Sequence, residues 1–183
     1  TLGPKSLEYT GQVADGWAGT SFVPTGTAAT IEHVQQGAVA AGRDPLDIEY
    51  QAGGAVQFGN DIELLLAPRR SGVAFTLGAM GSATTNFYND AYSRGGFETE
   101  ARKVQQLWVE GQREEAIQAV PDELILQTNF LGTTSEVTER VRSYREAGIS
   151  VLRVQPEGAD MQERLDSLGA IVDIVKSLNN DDC

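Results

Sequence analysis

LGPKSLEYTGQVADGWAGTSFVP, residues 2–24, decides how this chain is read. Gly3-Pro4 forms a turn, and a proline is tolerated in the first turn of the helix that follows. Leu7, Val13 and Ala14 give that helix a partial apolar stripe, and Asp15-Gly16 breaks it. Trp17 to Phe22 then reads as a short buried strand running into a Thr20-Ser21 loop. This is one helix-strand step of a repeating α/β fold, with no strand ahead of it. The expectation is that the chain enters its fold midway and that the earlier part carries a share of the chemistry.

Outward from that step, Pro24 and Thr25-Gly26-Thr27 prepare a helix, with Thr27 as its expected N-cap. Ile31, Val34, Ala38 and Ala41 mark its inner face, and Gly42 ends it. Ile48 to Phe58 reads as the next strand, with a Gly53-Gly54 pair inside. From Asn60 to about Ala119 the pattern is helical, interrupted at Pro68 and passing through Gly78-Ala79-Met80-Gly81. Pro121 to Leu126 reads equally as a helical turn or an extended piece. Thr134 or Ser135 is the expected cap of a helix through Val137, Val141 and Tyr144. Ile149 to Val154 is the cleanest strand, and Gln155 to Gly158 is its exit loop. In the last helix, Met161 to Leu178, the expected inward residues are Leu165, Leu168, Ile171, Val172 and Val175. Residues 1–178 are expected to form one partial domain, and 179–183 a frayed, disordered tail.

Alternating strands and helices imply a parallel sheet covered by helices, with the long helical stretch as an insertion. The chain has 183 residues. A complete (β/α)₈ barrel takes about 250, so three or four strand-helix steps cannot close one. The net charge of −12 argues against nucleic acid or an anionic membrane as partner. The single Cys183 cannot form an intrachain disulfide, which fits a reducing, cytoplasmic setting. No apolar run approaches the length of a membrane span.

Ligands in parallel α/β folds gather at the C-terminal ends of strands. That rule selects Gly19–Pro24, Gly54–Asn60, Gln155–Gly158 and the opening Gly3-Pro4-Lys5-Ser6. A helix start beside a Lys and a Ser suits a phosphate, or is a plain helix N-terminus. Gly53-Gly54 admits a flat ring close to the strand, or reflects a bulge or crowded packing. Thr20, Ser21 and Gln155 are neutral and suit hydrogen bonding rather than proton transfer. Met80, Ser82 and the Asn86–Asp90 cluster either line a pocket or form a cap over a core aromatic. Arg69-Arg70 suits an anionic substrate but reads better as a solvated pair. His33 lies inside a helix beside Val34 and reads as structural. No zinc-ligand spacing, nucleophile elbow, Walker A loop or complete acid/base constellation is present, so no catalytic residue is assigned and no metal is expected.

Four blocks in order carry a resemblance: residues 2–24, AGRDP, FTLGAMGSATTNFYNDAYSRGGF and AGISVLRVQP. Together they resemble the C-terminal half of luciferase-like flavin or deazaflavin oxidoreductases, above all the coenzyme F420-dependent group. The resemblance runs over nearly the whole chain. It implies an α/β fold that is the C-terminal half of a (β/α)8 TIM barrel with a helical insertion, from a dimeric family. It further implies cofactor contacts at Gly3, Pro4, Lys5, Ser6, Thr20 and Ser21, and substrate contacts at Met80, Ser82 and Asn86. The acidic and His residues that assist hydride transfer in such enzymes lie in the N-terminal half.

The leading expectation is therefore part of an F420-dependent oxidoreductase acting on a small-molecule substrate, the fragment alone being inactive. An FMN-dependent monooxygenase on the same fold is the near alternative. A non-catalytic half-barrel for binding or dimerisation is the alternative of another class. An open half-barrel exposes two sheet edges. The chain is thus expected to need its missing N-terminal half, another copy in a homodimer, or a reorganised edge.

Overall fold

The computed structural model describes residues 1–82 and 84–180. The chain alternates helix and strand from its start: α1 (Pro4–Val13), β1 (Gly16–Ala18), α2 (Ile31–Ala40) and β2 (Glu49–Phe58). A helical block follows: α3 (Ile62–Ala79), α4 (Phe87–Tyr92), α5 (Glu98–Val109), α6 (Arg113–Gln118) and α7 (Asp122–Thr128). Then come β3 (Phe130–Gly132), α8 (Thr134–Glu146), β4 (Val151–Pro156) and α9 (Met161–Asn180). The helical insertion expected between the second and third clear strands is thus α3 to α7.

All four strands are parallel, and β2 is the hub. It pairs with β1 at Trp17↔Tyr50, with β4 from Gln51↔Val151 to Val56↔Pro156, and with β3 at Gln57↔Leu131. Barrel order would set β4 beside β3, but β4 pairs with β2 instead. The sheet is therefore a short open one with its long central strand shared.

The described residues form two cores. Trp17, Phe22, Val34, Val56, Phe130, Tyr144 and Ile171 fill the space between the sheet and α1, α2, α8 and α9. Edge-to-face contacts of Phe22 with Trp17 and Tyr144, at 5.8 and 5.6 Å, order its aromatic centre. The second core is the insertion's own, built on Leu66, Leu77, Val104, Leu124 and Ile125. α1 and α2 meet at glycines: a Cβ on Gly11 would collide with the Val34 carbonyl, and one on Gly37 with that of Glu8.

Several local expectations change. The first strand stops at Ala18 rather than Phe22, because Ser21 takes a positive φ of 58° and turns the chain out of the sheet. Thr27 does not cap α2: its hydroxyl donates to the Pro24 carbonyl within a 3₁₀ turn (Pro24–Ala29), and α2 begins later. Pro68 does not interrupt α3, since it lies on the exposed face where water can serve the carbonyl left without an N–H. Pro121 to Leu126 resolves as the start of α7.

The cap of α8 is Thr133, one residue before the expected pair, and it forms a capping box with Glu136. In α9, Ile171 is buried, but Leu165, Leu168 and Val172 are exposed rather than inward. α9 continues to Asn180; the rest of the expected tail, including Cys183, lies outside the described residues.

Candidate functional site

A cavity of about 470 Å³ opens where the loop after β1, the middle of β2, the body of α3 and the exit of β4 converge. Each element brings its lining for a local reason. The turn at Ser21 ends β1 and presents Thr20 and Ser21. The capping network of α4 fixes the turn that delivers Tyr92. Burial pushes the Tyr92 hydroxyl above its ordinary range, partly opposed by a hydrogen bond with the Ser21 side chain. Parallel pairing with β2 carries Arg153 and Gln155 to the same opening, with Glu157 just beyond the strand.

Gly53 and Gly54 form the strand wall of this cavity. A Cβ on Gly53 would collide with the Arg153 carbonyl, and one on Gly54 with the Thr128 carbonyl. Backbone crowding from β4 and from the end of α7 therefore explains the pair. Asn129 locks the far side: its Oδ1 accepts from the Ala55 N–H at 2.9 Å, and its Nδ2 donates to the Ile125 carbonyl at 2.9 Å.

Arg69 is the residue that sequence reasoning placed wrongly. Its side chain is only 10% exposed, and it pairs with Glu157 and donates to Gln57 Oε1 at 3.0 Å. Burial holds its pKa below the ordinary arginine range, with the Glu157 carboxylate opposing. Arg70 is not solvated either: it pairs with Asp122 at 2.6 Å and Glu63 at 3.2 Å and donates to the Val120 carbonyl. The pair reads as solvent-facing in sequence because both partner sets are assembled by the fold. The only available signal was the strand-end rule, which reaches Glu157 but not α3.

The other expected site residues lie elsewhere. Gly3, Pro4, Lys5 and Ser6 make the first turn of α1, beside Arg94, which donates to the Leu2 carbonyl at 2.8 Å. None of the four lines the 470 Å³ cavity. Met80 and Ser82 lie in the turn after α3, away from this cavity, and Ser82 Oγ accepts from the Thr85 N–H at 3.0 Å. Asn86 is buried, and its side chain is consumed by structure. It accepts from the Tyr88 and Asn89 N–H groups and donates to the Thr76 and Leu77 carbonyls. That is the cap reading of this cluster. His33 pairs with Glu8 at 3.3 Å between α2 and α1, remote from the cavity.

A second cavity of about 390 Å³ lies between α8 and α9, at the N-terminal end of β4. In α/β folds that end serves stability, so the opening beside Thr20 and Gln155 is the better candidate. No group of three or more metal-ligating side chains stands together among the described residues. Among those residues, too, no helix is long and apolar enough to cross a membrane.

Residues 1–150 match the family profile described as luciferase-like monooxygenase. A Mycobacterium tuberculosis protein assigned as a coenzyme F420-dependent oxidoreductase is 27% identical over 168 residues, covering 91% of this chain and 48% of its own length. The phthiodiolone/phenolphthiodiolone dimycocerosates ketoreductase of Mycobacterium kansasii is 30% identical over 161 residues, covering 83% of this chain and 42% of its own. Among solved structures, the F420-dependent tetrahydromethanopterin reductase of Methanopyrus kandleri superposes with a TM-score of 0.66 at 19% identity, over 92% of this chain and 47% of that one. An F420-dependent secondary alcohol dehydrogenase bound to an F420-acetone adduct gives 0.59 at 18% identity, over 96% and 47%. The chain thus spans about half the length of the relatives it matches, and the structural matches share its fold.

Proposed function

As the chain belongs to the luciferase-like monooxygenase family, we propose that it supplies the C-terminal part of an F420-dependent oxidoreductase. The reaction is hydride transfer between the deazaflavin C5 and a small organic substrate. The observation that carries this reading is the cavity at the strand exits, whose lining offers hydroxyl, amide and guanidinium groups. Such a donor set fits a polar, flat, acidic cofactor. Bound there, the cofactor would supply the two-electron chemistry, and the protein would supply binding, orientation and electrostatics.

Thr20, Ser21 and Gln155 are the proposed hydrogen-bonding contacts. Gly53 and Gly54 give the cavity a wall free of side chains. Gly3, Pro4, Lys5 and Ser6 remain the proposed phosphate-side contacts at the start of α1. Met80 and Ser82 belong to the proposed substrate loop, with Asn86 holding it to α4. Groups that move a proton at the substrate would come from the half of the relatives' length that this chain does not span. The exposed apolar strip of α9 is where that half, or a second copy of the chain, would pack.

Fluorescence titration with F420, and separately with FMN, tests the proposal. The expected result is saturable F420 binding at least about tenfold tighter than FMN, weakened in Ser21→Ala. The reverse preference would favour a flavin monooxygenase. Binding of neither would favour a non-catalytic half-barrel.

A further inference from the structure

The cavity holds two cations in unlike states. Arg69, rising from the middle of α3, is nine-tenths buried in its side chain. Its terminal nitrogens donate to the Leu65 carbonyl, to Gln57 Oε1 and to Glu157. Its Nε is buried and has no acceptor among the described residues. A buried N–H without an acceptor costs stability, so native structures rarely keep one without a reason. Arg153, on β4, also lines the cavity and is exposed. Its one hydrogen bond among the described residues runs to the Gly19 carbonyl at 3.3 Å, and no carboxylate stands within ion-pairing distance there.

The lining therefore carries two guanidinium groups against the single carboxylate of Glu157, which Arg69 already holds. This is a local positive excess on a chain of net charge −12. Thr20 adds a hydroxyl to the lining, beside Ser21, whose side chain hydrogen-bonds with Tyr92. Guanidinium groups favour the paired oxygens of phosphate and carboxylate.

We propose that this cavity binds an oxyanion of the ligand, a phosphate or a carboxylate, at the exposed Arg153 guanidinium, with the buried Arg69 cation adding its charge from the cavity wall. Glu157 acts as a positioning residue that holds Arg69 at the cavity wall. The inference rests on this cavity being the ligand site proposed above. The oxyanion belongs either to the cofactor's acidic side chain or to an acidic substrate.

Titration of the 183-residue chain with inorganic phosphate at constant ionic strength, followed by thermal shift and ³¹P line broadening, tests it. Phosphate is expected to bind saturably, and about tenfold more weakly to Arg153→Gln than to the parent or to Arg69→Lys, which keeps its charge. Arg153→Gln changes an exposed side chain and keeps the fold, so its result stands if Arg69→Lys unfolds. Arg102→Gln, at an exposed pair with Glu98 on α5, is expected to bind as the parent does. Unsaturable binding, no binding, or equal weakening in Arg102→Gln and Arg153→Gln overturns the proposal. A second arm adds F420: competition with phosphate assigns the anion to the cofactor, and simultaneous binding assigns it to the substrate. Phosphate binding that depends on Arg153 without any F420 binding would keep the oxyanion site and sink the cofactor reading.

Discussion

In the helical insertion, α3 to α7 turn Leu66, Leu77, Val104, Leu124 and Ile125 inward until none is more than 1% exposed. Along β4 and α9, Val151, Leu165, Leu168 and Val172 stay 36%, 53%, 37% and 41% exposed. The insertion closes on itself because five helices surround one core. The β4–α9 edge has only one packed face, since β4 lies against β2 and α9 covers the half-buried Leu152 and Val154 side. The insertion seals a core of its own although Leu64, Phe75, Phe87 and Val109 stay exposed on its outside, whereas the apolar residues of the β4–α9 edge flank a sheet with one packed face. Arg69 in α3 and Glu157 after β4 form the ion pair that ties the two together.

The largest effect should separate the regions directly. Leu124→Ala removes a fully buried side chain from the insertion and is expected to cost about 3 kcal/mol in urea unfolding. Leu165→Ala, at the exposed edge, should cost under about 0.5 kcal/mol. Comparable losses would break the contrast. Glu157→Gln comes next, because it leaves the buried Arg69 guanidinium without its carboxylate. Glu157 is itself 37% exposed in its side chain, so solvent softens the loss to about 2 kcal/mol. The two tryptophans report on the two cores, Trp17 in the sheet and Trp108 in the insertion. In single-tryptophan backgrounds the two unfolding transitions should separate in Glu157→Gln and coincide in the parent. Coincidence in both would show that the ion pair does not couple the regions.

A smaller effect is expected at the start of α8. Thr133→Ala removes a hydroxyl cap and should cost about 1 kcal/mol. The Thr133 backbone N–H, then its side chain, hold the Glu136 carboxyl below its ordinary range. A lowered folded pKa gives stability that is present above the unfolded value and lost as pH falls through the folded one. Glu136→Gln should therefore be less stable than the parent at pH 7. The difference should close as pH drops below about 4, the ordinary glutamate range. A gap that persists unchanged into acid would remove the electrostatic part of the cap.

What the sequence reveals and what it hides follow the same divide between local and long-range causes. Ile149 to Val154 is legible as a strand because β-branched residues and flanking turns act locally. Thr20, Ser21 and Gln155 are legible as cavity residues because parallel strands share one exit end. The Gly53-Gly54 pair is legible as unusual, but its cause, backbone pressing from Thr128 and Arg153, belongs to the assembled sheet. Arg69 is hidden for the plainest reason: its partner Glu157 lies 88 residues later. The early end of β1 is hidden by one positive φ at Ser21, a residue type that does not announce it. Thr133 was within reach, since Thr-x-x-Glu is a readable capping signature.

The smallest stability effect carries the sharpest test of the outer edge. Leu168→Ser replaces an apolar side chain that is 37% exposed on α9. If that face is bare in the isolated chain, little burial is lost and stability should change by less than about 0.5 kcal/mol. Self-association should weaken instead, because Leu168, Leu165 and Val172 supply the exposed apolar strip through which copies would meet. Sedimentation velocity across a concentration series reads association, and urea unfolding at low concentration reads stability. A loss above about 1 kcal/mol in dilute protein would mean that the chain covers Leu168 by itself. The edge would then be packed as the insertion's core is, and the comparison between them would fail.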